Sequence, residues 1–75
     1  MEITELKKRA EIFLRNNIRV FIKDCYDNFY FAQIKEIFPD WVFVYNFKGN
    51  REGQNTRILW IDIVEINEYR GENLR

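Results

Sequence analysis

Residues Ile58–Ile66 read ILWIDIVEI. Seven of the nine are apolar, yet Asp62 stands at the centre and Glu65 near the end. A buried strand has no use for a central carboxylate, because taking a charge out of water is costly. A turn does have a use for one: an aspartate can accept hydrogen bonds from the free backbone N–H groups that open a helical turn. With Asp62 as that cap, Ile63 and Ile66 fall three apart on one side of the turn. The stretch then divides into a strand over 57–61, a single turn over 62–64 and a second strand over 65–69. The other reading is one long strand with Asp62 pointing outward. A turn lets the chain leave one edge of a sheet and rejoin it elsewhere, closing a small barrel.

Working outward, the strand signals continue upstream. TRILWID follows KGNREGQN, a segment with two glycines and no large apolar residue that reads as a hairpin loop. Before it, WVFVYNF is almost continuously β-forming. Pro39-Asp40 marks a tight turn, since proline fixes φ and removes a ladder donor. FYFAQIKEIF puts Tyr30, Ala32 and Ile34 on one face and Phe29, Phe31, Gln33 and Lys35 on the other. Asp27-Asn28 is a further turn signal. IRVFIKD alternates Ile18, Val20 and Ile22 against Arg19, Phe21 and Lys23. Ahead of Ile18 the period changes from 2 to 3.6: Ile3, Leu6, Ala10, Phe13, Leu14 and Asn17 form one helical stripe over 3–17. Glu5–Arg9 and Glu11–Arg15 are favourable i,i+4 pairs, and Asn16-Asn17 can supply a left-handed stop. Such a helix is too short to stand alone and must dock. The expected domain is therefore single: a helix over 3–17, a barrel over 18–69 and a frayed tail over 70–75.

The chain has 75 residues, enough for one domain. A domain of this size buries only about 60% of its unfolded surface. Cys25 is the sole cysteine, so no intrachain disulfide can help, and a lone thiol suits a reducing cytosol. No flanking cation marks Cys25 as reactive, and it reads as structural. Stability must come from a dense core or from oligomerisation. Seven Phe, four Tyr and two Trp supply the material for the first. The opening MEITELKKR puts charge where a signal peptide would have an apolar run. No apolar run approaches the roughly 20 residues that span a bilayer. The expectation is a soluble cytoplasmic protein with no membrane partner. Net charge is zero but uneven: residues 1–23 carry six bases against three acids, and the remainder carries six bases against nine acids. Nucleic-acid binders usually show a basic excess, so any such binding here would be local and salt-sensitive.

One helix followed by five short strands resembles the Sm-like small barrel. The family's second and third strands read roughly G-x-I-x-x-F-D-x-x-V-x-L; here AQIKEIFPDWVFVY supplies Ala32, Ile34, Phe38, Asp40, Val42 and Val44. The family's closing I-x-x-I is met by Ile63 and Ile66, and a helix running directly into the first strand is similar to the Sm and Hfq arrangement. The resemblance covers about residues 3–69. It implies a mainly β fold: a helix, then a five-stranded, strongly bent antiparallel Sm-like (SH3-like) small barrel. It also implies a homo-oligomeric ring that binds single-stranded RNA. The sequence departs from the family at the strand-two glycine, which is Ala32, and by the extra residue in Phe38-Pro39-Asp40. Trp60-Ile61 stand where Sm proteins have Arg-Gly, and the Lys-His pair of Hfq is missing, since the chain has no histidine.

Little in the sequence points to catalysis. Histidine and serine are both absent, so the common nucleophile–base pairs cannot be built. No Cys/His cluster offers a zinc site, and no cofactor is implied. Asp24 and Asp27 flank a turn and read as solvated turn residues. The strand aromatics Trp41, Phe43, Tyr45 and Phe47 alternate opposite Val42, Val44 and Asn46. A small barrel buries one face of each strand. The foremost reading of the aromatic row is core plus helix docking. A subunit interface, a base-stacking platform and a cage for a methylated cation stay open. Lys48, Arg51 and Arg57 border the long loop, either solvated or contacting phosphate. If RNA binds, the expected contacts are Phe38, Asp40 and Trp41 at one turn, Trp60 and Asp62 at the last turn, and the cations Lys48, Arg51 and Arg57. The competing function is a protein-interaction module on the same barrel that has lost RNA binding.

Overall fold

In the computed structural model, which describes residues 2–70, Ile3–Arg15 form helix α1. Its stripe buries Leu6 and Ala10 and half-covers Phe13 and Leu14, while Ile3 at its head stays exposed. The helix ends two residues before the expected limit because Asn16 and Asn17 are themselves the stop. Asn17 takes φ +56°, its N–H donates to the Leu14 carbonyl, and the N–H of Ile18 donates to that of Phe13. Those are the paired bonds of a Schellman ending. Of the tail expected over 70–75, only Arg70 is among the described residues.

Five strands follow: β1 (Val20–Asp24), β2 (Phe29–Ile37), β3 (Trp41–Gly49), β4 (Asn55–Leu59) and β5 (Ile63–Glu68). They form one antiparallel sheet in the order β4-β3-β2-β1-β5. The fold is mainly β. The inward residues are Val20 and Ile22 on β1, Tyr30, Ala32 and Ile34 on β2, Val42 and Val44 on β3, Ile58 on β4, and Ile63 and Ile66 on β5. Leu6 and Ala10 of α1, with Trp60 between β4 and β5, complete this cluster, and the helix lies against β2, β5 and the segment between β4 and β5. Register slips between Phe31 and Ala32 and between Ile34 and Glu36 on β2, and between Lys23 and Asp24 on β1. Each slip bends and twists its strand, curling the sheet around the core. β3 is longer than expected, because Lys48 and Gly49 still pair with Phe31 and Tyr30. Gly49 has φ +91°, and a Cβ there would lie 2.8 Å from the Phe29 carbonyl oxygen. Asn46 is buried beside the valines, its Nδ2 donating to Thr56 Oγ1 at 2.6 Å across the β3–β4 hairpin.

The turn inside ILWIDIVEI exists, but it is a 3-10 turn over Trp60–Asp62, two residues earlier than the capping argument placed it. Asp62 does not cap it: Leu59 precedes the turn, no side chain caps it, and Asp62 is its last residue. Two backbone bonds anchor the turn instead. Trp60 N–H donates to the Asp40 carbonyl at 3.1 Å, and the Asp62 carbonyl accepts from Cys25 N–H at 2.8 Å. The turn thus spans the seam between the β2–β3 and β1–β2 turns. It does not close the expected barrel, because β4 and β5 lie at opposite edges of the sheet with no ladder between them.

The weight of this segment rests on Trp60, which is 1% exposed and whose Nε1–H donates to the Phe38 carbonyl at 2.8 Å. Trp60→Ala should cost about 3–5 kcal/mol, the range for a large aromatic removed from a core. Asp62→Ala should stay within about 0.5 kcal/mol, as for a surface position without a cap. Urea melts of the two variants check both, and a large loss for Asp62→Ala would restore the capping role.

Candidate functional site

The face of β3 that the core does not use is aromatic. Val42, Val44 and Asn46 point inward; Trp41, Phe43 and Phe47 are half-buried on the other side, and Tyr45 is exposed. The row therefore neither fills the core nor receives the helix, which packs through Leu6 and Ala10 on the inner side. On β3 the inward positions hold Val42, Val44 and Asn46, and the rings the core does bury, Tyr30 and Trp60, come from β2 and from the turn after β4.

At the start of this row the β2–β3 turn builds a stack. The rings of Phe38 and Trp41 lie 4.0 Å apart at 21°, and Phe43 meets Trp41 edge-on at 6.3 Å. Arg57, opposite Phe43 across the β3–β4 ladder, holds its guanidinium 5.3 Å from the centre of the Trp41 ring. Leu59, opposite Trp41, is 47% exposed. Trp41, Arg57 and Leu59 line a shallow concavity of about 340 Å³. A partly open indole beneath a guanidinium offers a stacking surface and an anion-binding charge side by side. Asp40 is exposed at the turn, with its carbonyl committed to Trp60 N–H.

Trp60 belongs to the core and has no ring face to offer a base, so its expected stacking role is withdrawn. Arg51 and Asp62 lie in a different place, a polar groove of about 470 Å³ along β4 that Asp24, Tyr30 and Arg57 also line. Lys48 stands seven residues beyond Trp41 on β3, with its ammonium 5.9 Å from the Phe31 ring centre. Of the eight expected contacts, the fold gathers Phe38, Trp41 and Arg57, places Asp40 beside them, and sends Arg51, Asp62 and Lys48 elsewhere.

Asp24 is the groove's most constrained group. It was expected as a solvated turn residue, but it is buried. Its Oδ1 accepts from the backbone N–H groups of Tyr26 and Asn28, both at 2.9 Å. Its Oδ2 accepts from Asn28 Nδ2 at 3.1 Å and from the Tyr30 hydroxyl at 3.2 Å. Burial pushes the carboxyl pKa up, but the bonds from Asn28, Tyr26 and Tyr30 outweigh it and hold the pKa below the ordinary value. Tyr30 moves the other way, raised by burial and by the Asp24 charge beside it. Asp24 is thus a structural anion that shapes the β1–β2 turn, where Asp27 takes φ +67°. Cys25 in the same turn is exposed rather than buried, with its Sγ 3.8 Å from Asp62 Oδ1.

The sequence reading missed a second aromatic surface, formed by Phe21, Phe29, Phe31 and Tyr69 with Arg19 and Lys23. Its signal was present, since alternation placed Phe21 and Phe31 on the non-core faces of adjacent strands. Among the described residues, no three His, Cys, Asp or Glu side chains converge on a metal-sized site. No described helix is long and apolar enough to cross a membrane. No protein-family model matches the sequence, and no curated protein matches it significantly.

A carboxyl whose folded pKa is lowered stabilises the fold fully above its unfolded value, 3.8 here, and loses that contribution as pH falls through the folded value. Asp24→Asn should therefore cost about 1–3 kcal/mol at neutral pH. The gap between wild type and variant should hold down to about pH 5 and narrow below the unfolded value. Denaturant melts across that range measure it; a gap independent of pH would mean the charge is not what the turn binds.

Proposed function

We propose that the chain is a non-catalytic, Sm-like RNA-binding subunit that works as a homo-oligomeric ring. The observation that carries this reading is the pair of edge strands, each paired on one side only, at opposite ends of one bent sheet. β4 and β5 each present a free edge, and such edges invite pairing with another chain. Exposed apolar residues mark the same region: Leu59 at 47%, Ile61 at 76% and Val64 at 51%. If β4 of one copy pairs with β5 of the next, the contact is head-to-tail, and repetition closes a ring when the rotation allows. The helix-first order and the short turn between β4 and β5 support the Sm-like assignment.

The RNA reading rests on the Phe38–Trp41 stack under Arg57, next to the β4 edge. A base would stack on Trp41 while Arg57 meets its phosphate. The second reading, a protein-interaction module on this scaffold, is favoured by the zero net charge and by the apolar cluster around Ile61.

Light scattering at micromolar concentration should give a multiple of the 9.3 kDa chain mass; a value of one chain would remove the ring. Labelled single-stranded RNA should bind with a salt-dependent affinity. Trp41→Ala should weaken binding by about 1–3 kcal/mol at every salt concentration, as for a lost stack. Arg57→Ala should flatten the log–log salt slope by about 0.7, as for one lost phosphate contact. Oligomers that bind no RNA at low salt would leave the interaction-module reading in place.

A further inference from the structure

The polar groove of about 470 Å³ follows the open edge of the sheet, and every residue of β4, from Asn55 to Leu59, lines it. Its far wall is the β1–β2 turn, with Tyr26 and Asn28, and the end of the 3-10 turn at Asp62. Thr56, Ile58 and Tyr30 are buried at its floor. Asn55, Arg57 and Leu59 are exposed at its rim.

The backbone of this edge is available. Asn46 N–H donates to the Gln54 carbonyl, and Trp60 N–H donates to the Asp40 carbonyl. Antiparallel ladders alternate between bonded and non-bonded pairs. The bonded pairs between those two are therefore Val44 with Thr56 and Val42 with Ile58. Asn55, Arg57 and Leu59 fall in the non-bonded pairs, so their N–H and C=O groups turn away from β3 toward the open edge.

Charge narrows the occupant. Arg51 and Arg57 line the groove, and so do Asp24 and Asp62. Asp24 has both oxygens filled by four donors, and Asp62 sits at the far wall beside Cys25. The charge left open along β4 is that of the arginines. Arg57 lies over the Trp41 ring, a contact that leaves the in-plane N–H groups of the guanidinium for a carboxylate. An extended segment laid on β4 takes backbone bonds from Asn55, Arg57 and Leu59. Its side chains alternate, small apolar ones over Thr56 and Ile58 and acidic ones beside Arg57. The β5 of a second copy can border this edge but cannot fill the groove, because Ile63 and Ile66 are buried in that copy's own core. The groove fits a segment that brings no fold of its own.

We propose that the groove receives an extended acidic segment of a partner protein, added to β4 as a further strand. Docking needs only the open edge. Its consequence for assembly rests on the ring reading: the segment and the next copy's β5 exclude each other from β4, so the partner limits ring closure.

A labelled, end-capped peptide alternating Val and Glu over about seven residues, enough to run past β4 at about 3.4 Å per residue, tests this by fluorescence anisotropy on the full chain. Val64→Lys, on β5 and outside the groove, supplies an open β4 edge if the wild type is a closed ring. The peptide should bind, and amide exchange followed by NMR should slow at Asn55, Arg57 and Leu59. Arg51→Gln and Arg57→Gln should each weaken binding by about 1.5- to 5-fold, the value of an exposed ion pair. Peptides N-methylated at alternate amides should lose binding in the one register that faces β4. No binding to either the wild type or Val64→Lys would overturn the proposal, as would unchanged exchange at the three amides or full binding by both N-methylated peptides. Oligo-U that slows the same three amides would assign the groove to RNA and overturn it too. In light scattering the peptide should lower the mass of a wild-type oligomer; bound peptide with an unchanged mass would overturn the claim on assembly and keep the docking. A single-chain wild type that binds the peptide would remove the ring and leave the docking standing.

Discussion

The hydrogen bond from the Trp60 indole to the Phe38 carbonyl holds the seam of this molecule. A buried tryptophan must place its one donor, and the carbonyl it finds belongs to the turn between β2 and β3. With the backbone bond from Trp60 to Asp40 and that from Cys25 to Asp62, the 3-10 turn is fixed at both ends to turns on opposite sides of the sheet. The bulges supply the curl, and the turn keeps it. Because the fastening is made by three residues rather than a ladder, the sheet stays curled with both edge strands open. A closed ladder there would have removed the edges on which assembly is proposed.

Much of this fold is legible in the sequence, and what is missed has a common cause. The change of period at Ile18, the Asn16-Asn17 stop and the division of β1, β2 and β3 into two faces are local patterns, and local patterns survive into the structure. Asp62 misleads because aspartate is a good cap in isolation, whereas the turn's position is set by where Trp60 can be buried. Asp24 misleads in the opposite sense. Its neighbours look like a solvated turn, yet the Tyr30 hydroxyl arrives from the adjacent strand and burial follows. The β3 row divides correctly into two faces, but alternation cannot say which face is inside. Curvature decides that, and curvature depends on bulges that one strand's sequence does not declare.

The candidate site is legible to a similar degree. Phe38, Trp41 and Arg57 come together because a tight turn and an antiparallel pairing bring them together, and both could be read from the sequence. Lys48 and Arg51 border the same loop yet serve different surfaces, since β3 runs past β4 and carries Lys48 onto the β2 side. The Phe21 and Phe31 pairing needed a register, and register is a property of two strands at once.

The strand order also bears on how the chain reaches this state. β1 to β4 form a meander in which each strand pairs with its neighbour in sequence, and such contacts close short loops. β5 alone must return to β1 across the whole length of β2, β3 and β4, which makes its loop the longest to close. Loop-closure entropy makes its docking the expected late step, checked by pulsed hydrogen exchange in which the β5 amides should gain protection last. A chain caught before that step presents β1 as its border, with the backbone groups that pair with β5 left open. The species most prone to misassociation is then a nearly complete molecule that lacks only its final strand.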